Sequence, residues 1–250
     1  MPWYAFPPRL SAAERRLRGA REVAKRAKRG QRVEPIKLAG GRAIARSFWG
    51  KAWCEHLEAY SDLANRLPRG RTYVRTGSVV HLAVDPGRVD ALVQGTDLYE
   101  VRVTIAPLPK PRWMGIVRGC AGEIDSLVEL LQGRLSDGVM RVVTDRDRGL
   151  FPSPAQIEMS CSCPDWASMC KHVAAVLYGV GARLDERPEL LFLLRKVDHL
   201  ELLAAGGAPG AGKKPKRART IAASDLGDVF GIELDAGEGR TAPRRRATKR

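Results

Sequence analysis

The most informative segment of this sequence is Cys161-Ser162-Cys163-Pro164-Asp165-Trp166-Ala167-Ser168-Met169-Cys170-Lys171-His172. It holds three of the five cysteines and one of the four histidines, spaced as Cys-x-Cys, six further residues and Cys-x-His. Three thiols and one imidazole complete a tetrahedral zinc site, and a closed site of this kind is structural. We therefore predict one structural Zn²⁺ per chain, with four ligands: Cys161, Cys163, Cys170 and His172.

The main alternative is that these cysteines are buried thiols or form a disulfide. Cys161 and Cys163 are poorly placed to bridge each other because one residue separates them, and the N-terminal sequence lacks the apolar core of a secretory signal. Paired Cys-x-Cys and Cys-x-His spacing is also far rarer by chance than a single cysteine. The pattern therefore favours zinc.

The residues around the cysteines predict how the ligands are delivered. Apolar residues and Cys161 alternate with polar residues over 155–161, which is typical of a strand, and Pro164-Asp165 predicts a turn after it. His172 is expected in the first turn of a helix, with Ser168 as its candidate N-cap. This helix is predicted from apolar residues at helical spacing: Val173, Val176, Leu177, Val180 and Leu184.

The finger sequence from Cys161 to Tyr178 resembles the SWIM-type zinc finger, whose pattern is C-x-C-x(n)-C-x-H. Phe48-Trp49-Gly50-Lys51-Ala52-Trp53, Arg69-Gly70-Arg71-x-Tyr73 and Leu190-Leu191-Phe192-x-Leu194-Arg195 resemble stand-alone bacterial SWIM proteins that accompany Swi/Snf-type helicases. The resemblance covers about residues 46 to 203 and is most specific in the finger. It implies a zinc-stabilised strand and helix, DNA or protein binding, and no enzymatic activity of the finger.

The formal net charge of +15 lies at the two ends of the chain. Residues 1 to 51 carry 14 basic and 3 acidic side chains, residues 206 to 250 carry 11 and 5, and the segment between them carries 18 and 20. A nearly neutral body between two basic arms is the expected arrangement. The predicted domains are a basic arm, helical or disordered, at 1–45, an α+β body at 46–150, the SWIM-type finger at 151–184, short helices at 185–205 and a disordered basic tail at 206–250.

The N-terminal arm contains a capping-box pattern, Ser11-x-x-Glu14, followed by a segment rich in Arg, Lys and Ala that ends at Gly30. A basic helix here is expected to contact phosphates, whereas its apolar stripe is too weak for membrane insertion. A transit peptide and a solvated tail remain as alternatives. The candidate nucleic-acid contacts in the arm are Arg15, Arg16, Arg18, Lys25, Arg26, Lys28 and Arg29.

The C-terminal tail is rich in Gly, Pro, Ala and charged residues, a composition that argues against a packed core. Its basic clusters are typical of nuclear import signals and equally of nucleic-acid-binding tails. The candidate contacts are Lys213, Lys214, Lys216 and Arg217.

The body is predicted to be α+β. An apolar stripe from Trp53 to Leu67 indicates a helix that Pro68 and Gly70 end. Period-two alternation within residues 71 to 106 predicts an antiparallel meander of three or four strands. A helix that begins near Pro111 is expected to carry one apolar face as far as residue 131, residues 136–147 are ambiguous between helix and strand, and two short helices are expected at 188–196 and 198–205.

No catalytic pattern is recognisable in the sequence. Its remaining histidines are scattered, and arginines interleave with Asp145 and Asp147, which indicates an exposed charged turn rather than an acid/base pair. We interpret Cys54 and Cys120 as core thiols and Trp166 as a packing residue rather than a base-stacking one. The protein is predicted to be a non-enzyme.

Two functions follow from these patterns. The first is a zinc-binding accessory protein that binds nucleic acid, with DNA as the expected form and the basic arms on phosphates. The second is an adaptor for a Swi/Snf-type helicase, as the resemblance implies. Lys171 either offsets the residual charge of three thiolates and one Zn²⁺ or contacts phosphate. The chain has no apolar run of membrane-spanning length, and we expect it to be intracellular and cytoplasmic, on the nucleoid if bacterial.

Overall fold

A four-stranded antiparallel sheet with helices packed against it forms the core of this α+β protein. The computed structural model describes residues 10–38, 40, 43–60, 66–165, 167 and 169–205. The chain divides into Met1–Ala208 and Pro209–Arg250, and every element below lies in the first unit. Several predictions lie outside the described residues: those for Trp166, Ser168, Lys213, Lys214, Lys216, Arg217 and the tail 206–250.

The described part of the chain runs through helices, then three strands, then further helices and the finger. The elements are α1 (Ala12–Lys28), α2 (Phe48–Glu58), α3 (Leu67–Arg75), β1 (Val79–Asp85), β2 (Arg88–Gln94), β3 (Leu98–Ile105), α4 (Lys110–Gly119), α5 (Leu127–Gln132), α6 (Asp137–Thr144), β4 (Ile157–Cys161), α7 (Lys171–Glu186), α8 (Leu190–Arg195) and α9 (Leu200–Ala204). The segment that was ambiguous at 136–147 is the helix α6, and the two short helices after the finger are α8 and α9.

Strands β1, β2 and β3 form the predicted meander, and the finger strand β4 adds to its edge in the order β1-β2-β3-β4. Val89 of β2 pairs with Val103 of β3, which pairs with Met159 of β4. Alternation with a period of two places the buried Val89, Ala91 and Val93 on one side of β2. The zinc finger is therefore part of the main sheet rather than a separate lobe.

Helix α7 contacts all four strands and has more buried residues than any other described helix. Of its sixteen residues, twelve are buried, many more than the single apolar stripe that the sequence predicted. A helix that is apolar on all sides lies inside a fold. Helices α2 and α3 enclose it: the indole Nε1 of Trp53 donates to the carbonyl of Leu177 at 2.8 Å, and Gly70 lies against Ala174.

The prediction that Pro68 and Gly70 end a helix is wrong. Helix α2 ends at Glu58, and Pro68 lies in the first turn of a new helix, α3, where its missing N–H costs no hydrogen bond. Gly70 lies inside α3. A glycine is needed at this position because a Cβ would come within 2.4 Å of the Ala174 side chain. The meander accordingly begins at Val79, since the residues immediately after 70 are helical.

The apolar face predicted from Pro111 to residue 131 belongs to two helices rather than one. Helix α4 ends at Gly119, and Gly122 then takes a positive φ of 71°, which carries the chain off the helical path. Ser126 caps the separate helix α5 by accepting a hydrogen bond from the N–H of Glu129. Trp113 and Cys120 are buried as predicted, whereas Leu127 is exposed.

The N-terminal arm is helical over α1 and contacts β1 and β2. The predicted capping box is present, with hydrogen bonds joining Ser11 and Glu14 in both directions. Gly19 is the buried residue of this helix and fits against Val80. Farther on, the N–H of Ile36 donates to the carbonyl of Val79 at 3.1 Å, so the chain after α1 follows the edge of β1. Among the described residues, no helix has both the length and the apolar character to cross a membrane.

Candidate metal centre

The structure brings the four predicted zinc ligands together. The donor atoms of Cys161, Cys163, Cys170 and His172 all lie within 4.8 Å of one another. The Sγ atoms of Cys161 and Cys170 each lie 3.8 Å from Nδ1 of His172. A tetrahedral zinc ion with ordinary Zn–S and Zn–N bonds separates sulfur from nitrogen by about 3.6 Å, so the four side chains fit this ion.

Two ordinary elements deliver the ligands. Cys161 ends β4, and Cys163 follows in a turn that is fixed to β3, where the N–H of Ser162 donates to the Glu100 carbonyl at 2.9 Å. Cys170 occupies the N-cap position of α7, and His172 is the second residue of that helix. Ser168 itself lies outside the described residues, but the N-cap position predicted for it is occupied by Cys170, and α7 has no side-chain cap hydrogen bond.

The position of Cys170 favours a thiolate. A hydrogen bond from the Cys161 thiol, opposed by burial and assisted by His172, lowers the pKa of Cys170. The same hydrogen bond, together with burial, raises the pKa of Cys161. The N-terminus of α7 also places partial positive charge beside Cys170. Zinc binds thiolates and releases thiol protons to solvent, so a zinc ion here would be held by the thiolate forms of both Cys170 and Cys161.

Packing against aromatic rings holds the imidazole of His172. The ring stacks on Tyr99 with centroids 4.4 Å apart and meets the Tyr73 ring edge-on at 5.4 Å. Its Nε2 is buried and has no hydrogen-bond partner among the described residues. A Cβ at Gly95 would lie 2.9 Å from that nitrogen and 2.7 Å from the Tyr99 ring. Gly95 therefore leaves room for the ligand ring.

Comparison with known proteins agrees with this geometry. The family model of the SWIM zinc finger matches residues 156–180, which cover β4, the ligand loop and the first part of α7. A curated relative, "Uncharacterized protein Rv2102" of Mycobacterium tuberculosis, is 37% identical over 186 residues, which cover 72% of this chain and 67% of the relative. This chain belongs to the SWIM zinc-finger family. No solved structure matches it. The SWIM finger is a zinc-binding structural module and is not typically catalytic.

Sequence reasoning missed the residues that surround the SWIM ligands. Tyr99 and Gly95 lie within the segment predicted as a meander, and Tyr73 lies in a segment that carries the family resemblance, but none of the three is predicted to lie near the metal. Their contacts with His172 join residues that are far apart in the sequence. Arg66 was also missed; it lies 3.7 Å from a carboxylate oxygen of Asp165 and ties α3 to the SWIM loop.

Three basic side chains, those of Arg15, Arg69 and Lys171, line a recess of about 410 Å³ beside the SWIM module, which we call the Tyr73 recess. Nζ of Lys171 lies 5.9 Å from the Tyr73 ring centroid, and Cζ of Arg15 lies 4.8 Å from it. Arg18 reaches the same region and donates to the Thr96 carbonyl at 3.4 Å. The lining residues are Leu10, Arg15, Arg69, Thr72, Tyr73, Thr96 and Lys171.

The other candidate basic residues of α1 lie elsewhere. Arg26 is paired with Glu22 at 2.7 Å and faces a different groove, beside His81 and Asp90. Four further candidates are exposed on α1 and at its end: Arg16, Lys25, Lys28 and Arg29. The structure thus places Lys171 near Arg15 and Arg18. The other candidate basic residues of this segment lie elsewhere on α1 or at its end.

The remaining reactive groups behave as the sequence predicted. Burial raises the pKa of Cys54 to about 12 and that of Cys120 to about 11, values that leave both thiols unreactive at neutral pH. Asp145 accepts hydrogen bonds from the N–H groups of Asp147 and Arg148, which makes this segment a charged turn. All five cysteines are free thiols.

Proposed function

We propose that this protein is a non-enzymatic accessory protein that binds nucleic acid, DNA in the first place, with the SWIM zinc centre as its scaffold. The observation that carries the proposal is the basic face of α1, formed by Arg21, Lys25, Lys28 and Arg29. These residues follow one another at i, i+4, i+7 and i+8, which places them on one side of the helix. All four are exposed.

The charge of this face is not neutralised within the described fold. None of its four side chains forms an ion pair with a described acidic residue, whereas the two acids of α1 are engaged, Glu14 in the capping box and Glu22 with Arg26. Contact between α1 and the sheet fixes this face to the body. A fixed row of cations supports binding to a phosphate backbone without reading base sequence.

The zinc centre supports a scaffold role rather than catalysis. Three thiolates and one imidazole fill the tetrahedral positions, so a zinc ion there has no vacant position for water or substrate. Free cysteines suit a reducing compartment, which supports an intracellular, cytoplasmic location.

Substitution of the basic face tests the proposal. We expect the quadruple variant R21Q/K25Q/K28Q/R29Q to bind a fluorescein-labelled 20-base-pair duplex more weakly and with a shallower salt dependence, by roughly 0.9 in log-log slope for each lost phosphate contact. The control R118Q/R134Q/R141Q/R148Q removes the same charge from other exposed positions and should bind as the unmodified protein does. Fluorescence anisotropy over a series of salt concentrations measures both. Equal affinities and slopes for the unmodified protein and the basic-face variant would contradict the proposal.

A second candidate is an adaptor for a Swi/Snf-type helicase. The resemblance to stand-alone SWIM proteins supports it, as do two adjacent exposed apolar residues of α5, Leu127 and Val128, the latter 55% exposed. Purification from the native cell with and without nuclease distinguishes the two. An ATPase that remains bound after nuclease treatment, and is lost from L127S/V128S, would favour the adaptor.

A further inference from the structure

The Tyr73 recess gathers positive charge from three separate parts of the chain. Arg15 comes from α1, Arg69 from α3, and Lys171 is the first residue of α7. No acidic residue is among the described residues that line the recess. Since like charges repel one another, such a cluster favours an anion between them.

The polar groups of the recess are incompletely satisfied by the protein. Arg15 donates from Nη1 to the Leu10 carbonyl at 2.7 Å, but its Nε is buried and has no described partner. Neither Arg69 nor Lys171 forms an ion pair with a described residue. Guanidinium and ammonium groups with unused donors are the usual ligands of phosphate oxygens.

We propose that the Tyr73 recess holds one phosphodiester group of a nucleic-acid backbone, and that the SWIM zinc centre sets its geometry. This inference rests on the proposed function. It assigns the Tyr73 recess as the place where the nucleic-acid backbone contacts the protein beside the SWIM module. A phosphodiester suits the recess better than a base does, because the Tyr73 ring is already engaged by Arg15, Lys171 and His172. Base stacking would require a free aromatic face.

The order of residues in the finger connects the recess to the metal centre. Lys171 stands between the ligands Cys170 and His172, so ligation fixes its backbone on both sides. The His172 ring in turn meets Tyr73 at the base of the recess. When zinc is removed, Lys171 loses the support that aims its ammonium group at a bound phosphate.

The test uses the full chain and a variant of exposed or half-exposed residues, R69Q/K171Q, with R118Q/R141Q as the charge-matched control. We expect the recess variant to bind the labelled 20-base-pair duplex on the order of tenfold more weakly, with a log-log salt slope reduced by roughly 0.9 per lost contact. The control variant should have the affinity and the salt slope of the unmodified protein. A second variant, R15K, keeps the charge but removes the guanidinium fork, and we expect an intermediate loss of affinity.

Chelation tests the metal link. Treatment of the unmodified protein with a zinc chelator should reduce its salt slope by roughly 0.9, the contribution of the one contact made by Lys171, whereas the same treatment should change the slope of R69Q/K171Q very little. Circular dichroism verifies that the body stays folded. An unchanged slope after verified zinc removal would overturn the link between metal and recess.

The two proposals fail in different ways. If R69Q/K171Q binds duplex normally while R21Q/K25Q/K28Q/R29Q does not, the recess inference is wrong and the proposed function stands. If the unmodified protein binds no duplex, both are wrong. Phosphatidylserine vesicles serve as a second probe: binding to the vesicles but not to the duplex, lost in R69Q/K171Q, would overturn the assignment to nucleic acid.

Discussion

The zinc loop from Cys161 to Cys170 and the helix α7 that follows it are neighbours held in place by different forces. Within the described part of the loop, only Met169 and Cys170 are buried, whereas α7 has twelve buried residues. Apolar burial can hold the helix but holds the loop only at its end, at Met169 and Cys170. The metal is therefore needed for the loop before Cys170 and is much less important for the helix after it.

The two regions nevertheless share a boundary. Cys170 is both a predicted ligand and the N-cap residue of α7, and His172 lies in the first helical turn. The metal therefore joins a loop that lacks a core to a helix that has one. Substitutions that affect the loop and spare the helix, or the reverse, test whether the two are stabilised independently.

The largest expected effect is the loss of the metal. Cys170→Ala should abolish zinc binding and release the loop, since structural zinc contributes on the order of 10 kcal/mol in finger peptides. Metal analysis and hydrogen exchange measure this: residues 161–170 should exchange rapidly, while β1, β2 and β3 stay protected. Cys54→Ala, a cysteine outside the centre, should keep its zinc. Full zinc occupancy in Cys170→Ala would refute the assignment.

A substitution in the middle of α7 should produce the opposite pattern. Leu177 is fully buried, and Leu177→Ala should lower the free energy of unfolding by about 2 to 5 kcal/mol because a cavity remains. The folded variant should still hold one zinc per chain. Leu17→Ala, at a position 54% exposed, should change stability by less than about 0.5 kcal/mol. Urea denaturation measures the stability of the two variants, and metal analysis measures their zinc content. Loss of zinc from folded Leu177→Ala would show that the metal centre depends on the packing of the α7 core.

A smaller effect is expected at Gly95, which lies between β2 and β3 and approaches the ring of the predicted ligand His172. In Gly95→Ala the new methyl group would crowd His172 and Tyr99, so zinc affinity should fall about tenfold to a hundredfold, as for other supports of a metal ligand. Gly115→Ala is the matched control, because a Cβ there meets no atom within 4 Å and the helix α4 should gain up to about 1 kcal/mol. Competition with a chromogenic chelator measures the affinities. Equal zinc affinity in Gly95→Ala and Gly115→Ala would show that Gly95 does not matter to the ligand ring.

The parts of this structure that could be predicted are those with a local signal. Ligand spacing from Cys161 to His172, the strand before it and the apolar repeat of α7 are each visible within a short window. The meander was predictable for the same reason, since alternation and the turn after Asp85 are local. The family resemblance added the SWIM assignment.

The parts that could not be predicted depend on distant contacts or on position within a helix. Pro68 interrupts helices in general but is tolerated in a first turn, and only the fold reveals that α3 begins there. Nothing in the sequence around Gly70 indicates that this residue packs against Ala174. Likewise Arg15, Arg69 and Lys171 are too far apart in the sequence for their convergence to be anticipated from the chain alone.

X-ray absorption at the zinc edge of the purified protein tests the central claim most directly. A closed Cys3His centre predicts one zinc per chain surrounded by three sulfur atoms at about 2.3 Å and one nitrogen atom at about 2.0 to 2.1 Å. A protein without zinc, or a zinc ion with fewer than three sulfur neighbours and a bound water, would contradict it.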